Sequence, residues 1–279
     1  MTLRIATWNI NSVRLRTDLV KRFVKAYNPD ILCLQETKCP DDRFPVKAFR
    51  RLGYEHIALN GQKGYHGVAT LSRLPFADVS RRGFCEKRDA RHLSVKVADD
   101  IVVHNFYVPS GGDIPDTEQN PKFAHKLAFL REMSEWFGNH KGKRDNKMVL
   151  VGDLNVAPLE CDVWSHKQLL KVVSHTPVEV EHLNEVLASH AWIDVTRRNV
   201  PAPERLYTWW SYRSPDWTRN DRGRRLDHIW VTPKLNDQAR EIAIAREARS
   251  WPRPSDHVPV ILSVAARPPT ERGDSRRAR

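Results

Sequence analysis

The sequence is poor in cysteine. Its 279 residues include four, at Cys33, Cys39, Cys85 and Cys161, and no two of them have the C-x-x-C spacing of a thiolate metal site or a redox centre. Cys33 lies in an apolar segment, where a cysteine is typical of a small buried hydrophobe. This pattern disfavours a disulfide-rich secreted protein and a thiolate zinc protein, and we expect a reduced, cytoplasmic chain.

Long apolar runs and linkers are also absent from the sequence. No apolar run approaches the ~18 residues of a membrane span, and a strand begins within the first residues without a basic-then-apolar signal pattern. We therefore expect a protein that is neither exported by that route nor membrane-spanning. No glycine- or serine-rich linker, composition shift or internal repeat divides the chain. The expectation is one compact domain over residues 1–265, with a large core.

Acidic residues are the minority among the charged groups. Asp and Glu number 34 against 46 Lys and Arg, which gives a net charge of +12. Residues 266–279 contain five arginines against Glu271 and Asp274, so we expect a basic, disordered tail that carries +3 and leaves +9 on the body. A body this basic indicates a polyanionic partner, with nucleic acid as the first candidate, although a merely soluble basic surface is the alternative.

Polar groups follow four apolar segments and precede two others. They are Asn9 with Asn11, Glu36, Tyr107, and Asp153 with Asn155 after a segment, and Asp227 and Asp256 with His257 before one. Because a strand alternates its faces at each residue, Asp153 and Asn155 project to the same side. Each alone could be an ordinary turn residue, but together they are the types that bind a hard cation and move protons. If they meet at one edge they form a metal-dependent hydrolytic site, and the strands of the first kind must run opposite to those of the second.

Apolar periodicity predicts three helices between these strands. The stripes are Leu15, Leu19 and Phe23 before Asn28-Pro29, Phe123 to Phe137 after Asn120-Pro121, and Leu183 to Leu187 within 180–188. Strands are predicted at 67–72, 93–97, 101–108, 148–154, 226–232 and 258–264. We therefore predict an α/β fold of two packed sheets, mixed or antiparallel, with helices outside.

Aromatic and arginine residues interleave just before Asp227. The segment includes Trp209, Trp210, Arg213, Trp217, Arg222 and Arg225. Aromatic rings can stack on bases or wall a sugar pocket, while arginines hold phosphates. Some of these tryptophans must belong to the core, since so large an apolar surface is rarely all exposed.

Six short motifs together carry a family resemblance. They are Thr7-Trp8-Asn9-Ile10-Asn11, Leu34-Gln35-Glu36-Thr37-Lys38, Asn105-Phe106-Tyr107-Val108-Pro109, Gly152-Asp153-Leu154-Asn155, Arg225-Leu226-Asp227 and Ser255-Asp256-His257. In this order, over nearly the whole chain, they resemble the exonuclease III family of the endonuclease/exonuclease/phosphatase superfamily. The resemblance implies a four-layer, DNase I-like α/β sandwich with two mixed sheets. It also implies a DNA repair enzyme that removes nucleotides from 3′ ends and, in many members, incises double-stranded DNA at abasic sites.

The resemblance also implies a role for each matching residue. Glu36 resembles the metal-ligating glutamate, which Asn9 assists, and Asp256 a further carboxylate on the metal side. Asp153 resembles the base for the attacking water, with Asn155 as its partner. Tyr107 and His257 resemble groups that face the phosphate, and Asp227 the carboxylate that binds His257. The full expected metal set is Asn9, Glu36, Asp153, Asn155, Asp256 and His257, and the expected substrate contacts are Asn11, Trp209, Arg213, Arg222 and His257.

The ligand chemistry and the departures from the pattern set the remaining expectations. Oxygen and amide ligands without cysteine favour Mg²⁺, with Mn²⁺ as a substitute, over Zn²⁺. His257 can donate to the phosphate or act as the base, and the sequence leaves both open. Asn11, Ser110 and His228 depart from the common pattern, so the balance of exonuclease, abasic-site and 3′-phosphatase activities also stays open.

Two rival functions remain on sequence grounds. One is another phosphoesterase of the same superfamily, such as a nonspecific nuclease or a phosphatase for inositol phosphates or lipids. The other is a DNA-binding protein whose catalytic site has decayed. The second is disfavoured because Glu36, Asp153, Asn155, Asp227 and His257 are all present. We expect a cytoplasmic monomer that associates with the nucleoid through DNA.

Overall fold

The computed structural model describes residues 2–140, 145–214 and 216–266, and the structural statements below concern these residues. The strands in chain order are β1 (Thr2–Asn9), β2 (Ile31–Gln35), β3 (His56–Asn60), β4 (Val68–Ser72), β5 (Asp78–Ser80), β6 (His92–Lys96), β7 (Val102–Tyr107), β8 (Met148–Asp153), β9 (Ile193–Asp194), β10 (Trp209–Trp210), β11 (Gly223–Arg224), β12 (Asp227–Val231), β13 (Ala239–Ile244) and β14 (Val260–Ala265). The α-helices are α1 (Thr17–Tyr27), α2 (Val46–Arg50), α3 (Pro121–Gly138), α4 (His166–Leu169), α5 (Pro177–Ser189), α6 (Val195–Asn199), α7 (Trp217–Asn220) and α8 (Pro233–Asn236).

The strands form two six-stranded mixed sheets and a short β10–β11 pair. The first sheet has the order β13-β14-β1-β2-β4-β3, and the second has the order β5-β6-β7-β8-β12-β9. Strand β1 runs parallel to β2 and antiparallel to β14, while β8 runs parallel to β7 and antiparallel to β12. The prediction that strands ending in polar groups run opposite to strands beginning with them is therefore confirmed.

The two sheets pack face to face and helices cover their outer faces. Ile5 of β1 and Val151 of β8 belong to the apolar core between the sheets. On the outer face of the first sheet, the ring of Trp8 lies 5.4 Å from that of Phe23 in α1. On the outer face of the second, Phe106 packs in one cluster with residues of α3 and α5. The predicted four-layer α/β sandwich is confirmed.

The residues that face the other sheet alternate along each strand up to one edge of the two sheets. Residues of β1, β2, β7 and β8 that face the other sheet recur at every second position of each strand. The same alternation places Asn9, Gln35, Tyr107 and Asp153 as the last inward-facing residues of these strands. The core between the sheets therefore ends in a polar layer.

The observed helices contain the predicted apolar stripes, except at the start of α1. Helix α3 begins after Asn120, whose side chain accepts from the Lys122 N–H, and α5 begins with a capping box between Thr176 and Glu179. Helix α1 begins only at Thr17, and Leu15 is 72% exposed, so its assignment to the buried stripe is wrong. The chain is still in a turn at Leu15, since the helix starts two residues later.

Three further expectations concern the last strand, membrane-spanning helices and the basic tail. The strand predicted at 258–264 begins at Val260, because His257 and Val258 pair with Thr208 and Trp209 instead of with the sheet. No helix among the described residues has the length and apolar character needed to cross a bilayer. The predicted basic tail, 266–279, lies outside the described residues apart from Ala266.

Candidate active site

The polar strand ends meet at one edge of the two sheets, around a cavity of about 710 Å³. The predicted residues that line it are Asn9, Glu36, Tyr107, Asp153, Asn155, Trp209, Arg213, Arg222, Asp256 and His257. The other two predicted residues lie behind this lining. Asp227 is fully buried and contacts His257, and Asn11 donates to Asp256 Oδ1 at 3.1 Å.

Asp153 is held from both sheets. Asn9 Nδ2, at the end of β1, donates to Asp153 Oδ2 at 2.8 Å, and the Asn155 N–H donates to Asp153 Oδ1 at 3.0 Å. Gly152 has φ +142°, and a Cβ there would lie 1.9 Å from the Phe106 carbonyl oxygen. Glycine is therefore required at this position, because it allows β8 to approach β7 directly before the carboxylate.

Burial raises the pKa of Asp153 to about 7, against the opposing effect of the nearby His257 charge. The side chain is 1% exposed, so its charged form has little water around it. A carboxylate with a pKa near neutrality can accept a proton from water and release it again. The environment of Asp153 is thus suited to general-base catalysis.

His257 lies between two carboxylates. Its Nδ1 is 2.8 Å from Asp227 Oδ2, and its Nε2 is 3.7 Å from Asp153 Oδ2. Burial by itself lowers the pKa of His257, but Asp227 and then Asp153 outweigh it and raise the pKa to about 10. The backbone is fixed as well, since Trp8 Nε1 donates to the His257 carbonyl at 2.9 Å. His257 is therefore an imidazolium at neutral pH, with Nε2–H available as a donor.

Tyr107 ends β7 beside these groups. Burial raises the pKa of its hydroxyl well above the usual value, and the carboxylates of Glu36 and Asp153 raise it further. The guanidinium of Arg91 lies 5.0 Å from the ring centroid and donates to the Tyr107 carbonyl at 3.2 Å. The phenol therefore stays protonated and is a neutral hydrogen-bond donor at the cavity wall.

The side of the cavity that contains Glu36 and Asp256 presents mainly oxygen atoms. Glu36 lines it from a left-handed backbone position (φ 54°), and its Oε1 is 3.0 Å from Lys38 Nζ. Burial raises the pKa of Asp256, but the charge of His257 and hydrogen bonds from Asn11 and Trp209 outweigh it, so the pKa is lowered overall. Carboxylates at Glu36 and Asp256 with an adjacent amide at Asn9 are the donor set that a hard divalent cation prefers. This part of the cavity fits such a cation.

A second group of possible ligands is better described as an ion pair. Potential ligand atoms of Asp153, Asp227 and His257 all lie within 4.8 Å of one another. However, Asp227 Oδ2 is already bonded to His257 Nδ1, and an imidazolium has no lone pair to offer a metal. The oxygen groups on the Glu36 side of the cavity lie outside this ion pair.

Trp209 and Trp210 divide between the cavity and the core, as strand alternation requires. Trp209 is partly exposed, lines the cavity and donates through Nε1 to Asp256 Oδ2 at 3.0 Å. Trp210 is 1% exposed and packs against Trp217 with ring centroids 5.0 Å apart. The expectation that part of this aromatic segment is core is confirmed.

Two contacts at the cavity were not assigned from the sequence. Lys38 Nζ bridges Glu36 and Asn11 Oδ1, the latter at 2.7 Å. Trp164 lines the cavity beneath the guanidinium of Arg222, which lies 4.7 Å from the ring centroid. Lys38 was within a recognised motif and could have been inferred from its position two residues after Glu36. Trp164 lies shortly before α4 with no periodic pattern around it, so no sequence signal pointed to it.

Comparisons with known proteins agree in family and fold. The sequence profile of the endonuclease/exonuclease/phosphatase family matches residues 6–257. Exodeoxyribonuclease III of Haemophilus influenzae is 30% identical over 270 residues, which cover 92% of this chain and 98% of that protein. An AP endonuclease from Archaeoglobus fulgidus superposes with a TM-score of 0.87 and 33% identity, covering 95% of this chain and all of that one. A 3′ phosphatase, NExo, from Neisseria, solved with product DNA hairpin, has a TM-score of 0.86 and 31% identity, covering 94% of this chain and 99% of that one.

Proposed function

The chain belongs to the endonuclease/exonuclease/phosphatase family, and from this we propose that it is an exodeoxyribonuclease III-type hydrolase that acts in DNA repair. Its substrate is double-stranded DNA, in which it hydrolyses phosphodiester bonds as a 3′-to-5′ exonuclease and an abasic-site endonuclease, with 3′-phosphatase activity as a third reaction to test. One observation carries the proposal: Asp153, bonded across the sheets to Asn9, lies 3.7 Å from a His257 imidazolium inside one cavity.

We assign the catalytic steps to groups with the required protonation states. Asp153 removes a proton from the attacking water, and Asn155 helps to position that water. His257 donates from Nε2 to a phosphate oxygen, with Asp227 holding the opposite ring nitrogen. Tyr107 adds a neutral donor on the same side. Donors of this kind, fixed before the reaction, stabilise the charge that develops on the phosphate.

Glu36, Asn9 and Asp256 would hold the divalent cation, with Asp153 and Asn155 facing the same cavity. These residues would thereby supply a site at which a divalent cation would neutralise charge on the phosphate and on the leaving 3′ oxygen. We propose Mg²⁺ as the physiological ion and Mn²⁺ as a substitute, because every side chain of this set offers oxygen and none offers sulfur. His257 remains in the donor role, since the raised pKa leaves its ring without a free lone pair.

DNA recognition is assigned to the wall of the cavity built by the aromatic and arginine segment. Arg213 and Arg222 line the cavity and can neutralise phosphates, while Trp209 can wall a pocket for a sugar that lacks its base. Asn11 acts on substrate through Asp256 and Lys38, which it contacts. We further propose that residues 1–265 form a single catalytic domain, that residues 266–279 are a basic tail, and that the protein acts as a cytoplasmic, nucleoid-associated monomer.

The proposal is tested with one panel of substrates. Metal-stripped enzyme is given duplex DNA with a single abasic-site analogue, a duplex with a plain 3′ end, a duplex with a 3′-phosphate and a soluble phosphomonoester, each with and without Mg²⁺. We expect Mg²⁺-dependent incision and 3′ degradation of the duplexes. Activity confined to the soluble phosphomonoester would establish the rival phosphatase function, and full activity in excess EDTA would overturn the metal dependence.

A further inference from the structure

A buried ion pair lies beneath the catalytic loops and outside the cavity lining. Lys126 of α3 and Glu179 of α5 both have fully buried side chains, and Lys126 Nζ contacts Glu179 Oε1. A lysine ammonium is seldom removed from water completely unless it is paired. Such a pair is weak evidence of stabilisation, because the cost of desolvation offsets most of the attraction. Stabilisation of the fold therefore does not explain why this ion pair is buried at this position.

The other hydrogen bonds of the Lys126 ammonium are to backbone carbonyls next to the proposed catalytic residues. Lys126 Nζ donates to the Asn155 carbonyl at 2.7 Å and to the Ser110 carbonyl at 3.3 Å. Ser110 lies in the loop after β7, and Asn155 in the loop after β8. One buried cation thus joins the two segments that follow Tyr107 and Asp153 on neighbouring strands.

The backbone at Asn155 has a left-handed conformation that these contacts restrain. Asn155 has φ 55°, in the left-handed region, and its N–H donates to Asp153 Oδ1 at 3.0 Å. Asparagine tolerates this region better than most residues, and its contacts then select the orientation of its backbone groups. Lys126 holds the carbonyl of Asn155, and the Val108 carbonyl accepts from its side chain at 2.9 Å. The Asn155 N–H that binds Asp153 Oδ1 and the Asn155 carbonyl that Lys126 binds flank the same Cα, so Lys126 restrains the backbone that orients Asp153 Oδ1.

The loop after β7 packs closely against the side chain of the same lysine. Gly111 has φ +88°, and a Cβ at this position would approach Lys126 Cδ to 2.8 Å. Glu179 has a different set of partners, since it accepts from the Ser174 N–H at 2.9 Å and from the Thr176 N–H at 3.1 Å at the start of α5. The two members of the pair thus differ in function: the lysine faces the catalytic loops, and the glutamate faces the helix cap.

We propose that Lys126 is a positioning residue for the proposed hydrolysis, which orients Asp153 through the backbone of Asn155, and that Glu179 serves as its counterion. The inference rests on the proposed function. Loss of Lys126 removes no side chain from the cavity lining but frees the Asn155 carbonyl, so that the Asn155 N–H no longer holds Asp153 Oδ1 in a fixed orientation. A displacement of about 1 Å at a catalytic group can cost about a hundredfold in rate. Lys126→Met should therefore lower kcat by roughly this factor and leave KM nearly unchanged.

Glu179→Gln is the matched control. Both substitutions break the same buried pair and should lower the melting temperature, but the glutamine keeps an acceptor for Ser174 and Thr176 and leaves Lys126 in place. We expect Glu179→Gln to keep kcat close to the wild-type value at a temperature well below every melting transition. The double variant Lys126→Met/Glu179→Gln removes both charges, so it should recover stability without recovering kcat.

The outcomes separate the two proposals. Wild-type protein that cleaves none of the DNA substrates would refute the proposed function itself. If the wild type cleaves, then equal kcat values in the double variant and in Glu179→Gln would overturn the positioning role of Lys126. Failure of both Lys126→Met variants to fold would overturn it as well, because the residue would then act on stability alone. A low kcat in a stable double variant, with KM unchanged, is the result that supports it.

Discussion

The Asp227→Asn variant provides the sharpest test of the proposed His257 function. Asp227 Oδ2 lies 2.8 Å from His257 Nδ1, and both side chains are buried. A hydrogen bond to a charged partner contributes about 1.5–3 kcal/mol. Since one pKa unit corresponds to about 1.4 kcal/mol, removing the charge of Asp227 should lower the pKa of His257 by about one to two units. From its value of about 10, the pKa should fall to about 8–9.

The direction in which activity changes with pH depends on which protonation state of His257 is active. If the imidazolium donates to the phosphate, activity is lost as pH rises through the pKa of His257. The alkaline limb of kcat/KM should then lie near pH 10 in the wild type and about one to two units lower in Asp227→Asn. Stability follows the same direction: a raised histidine pKa stabilises the fold fully below the unfolded value of about 6.5, and this contribution is lost as pH rises through the folded pKa.

The assay is a pH profile of abasic-site incision from pH 6 to the alkaline limit of DNA integrity, at saturating Mg²⁺ and constant ionic strength. His257→Asn serves as the control, because it removes the titrating group and should abolish this limb along with most activity. An alkaline limb at the same pH in the wild type and in Asp227→Asn would refute the donor role. In that case the base role that the sequence left open for His257 would be the better explanation.

Three further predictions test the other assigned groups. Asp153→Asn should keep the fold and lose about 10²- to 10⁴-fold in kcat, and near-wild-type turnover would exclude Asp153 as the base. Glu36→Gln should bind DNA but need more Mg²⁺ for half-maximal activity, and an unchanged metal titration would remove Glu36 from the cation site. Arg222→Ala should weaken DNA binding and reduce the slope of log K against log salt by about one. Arg240→Ala, at an exposed position on β13, should leave that slope unaltered, and an equal change in both arginine variants would refute a specific contact at Arg222.

Much of the architecture was predictable because it depends on local patterns. Alternation in β8 and the glycine before Asp153 are visible in the sequence, and the opposite strand directions follow from where the polar residues stand. The error at Leu15 has the same local origin. A four-residue spacing of apolar residues cannot distinguish a residue in a preceding turn from one in the first turn of the helix. The ends of a helix are therefore the least certain part of such a prediction.

The internal arrangement of the site was less accessible, because it depends on pairs far apart in the chain. Lys126 and Glu179 are 53 residues apart, and each alone looks like an ordinary charged residue on an amphipathic helix. Asp227 was assigned correctly as the partner of His257 only through the family resemblance. Its complete burial behind the histidine could be seen only once β12 was placed beside β8.

The position of β14 in the first sheet constrains when a growing chain can become active. Strand β1 occupies the centre of that sheet, between β2 and β14, and β14 follows His257 in sequence. During synthesis β1 therefore emerges first and keeps one edge unpaired until β14 (Val260–Ala265) has been made. Asn9 and Asp153 can meet earlier, but His257 reaches them only with β14. The ability to cut DNA should thus appear late and all at once, so that incomplete chains bear an open strand edge but no nuclease activity.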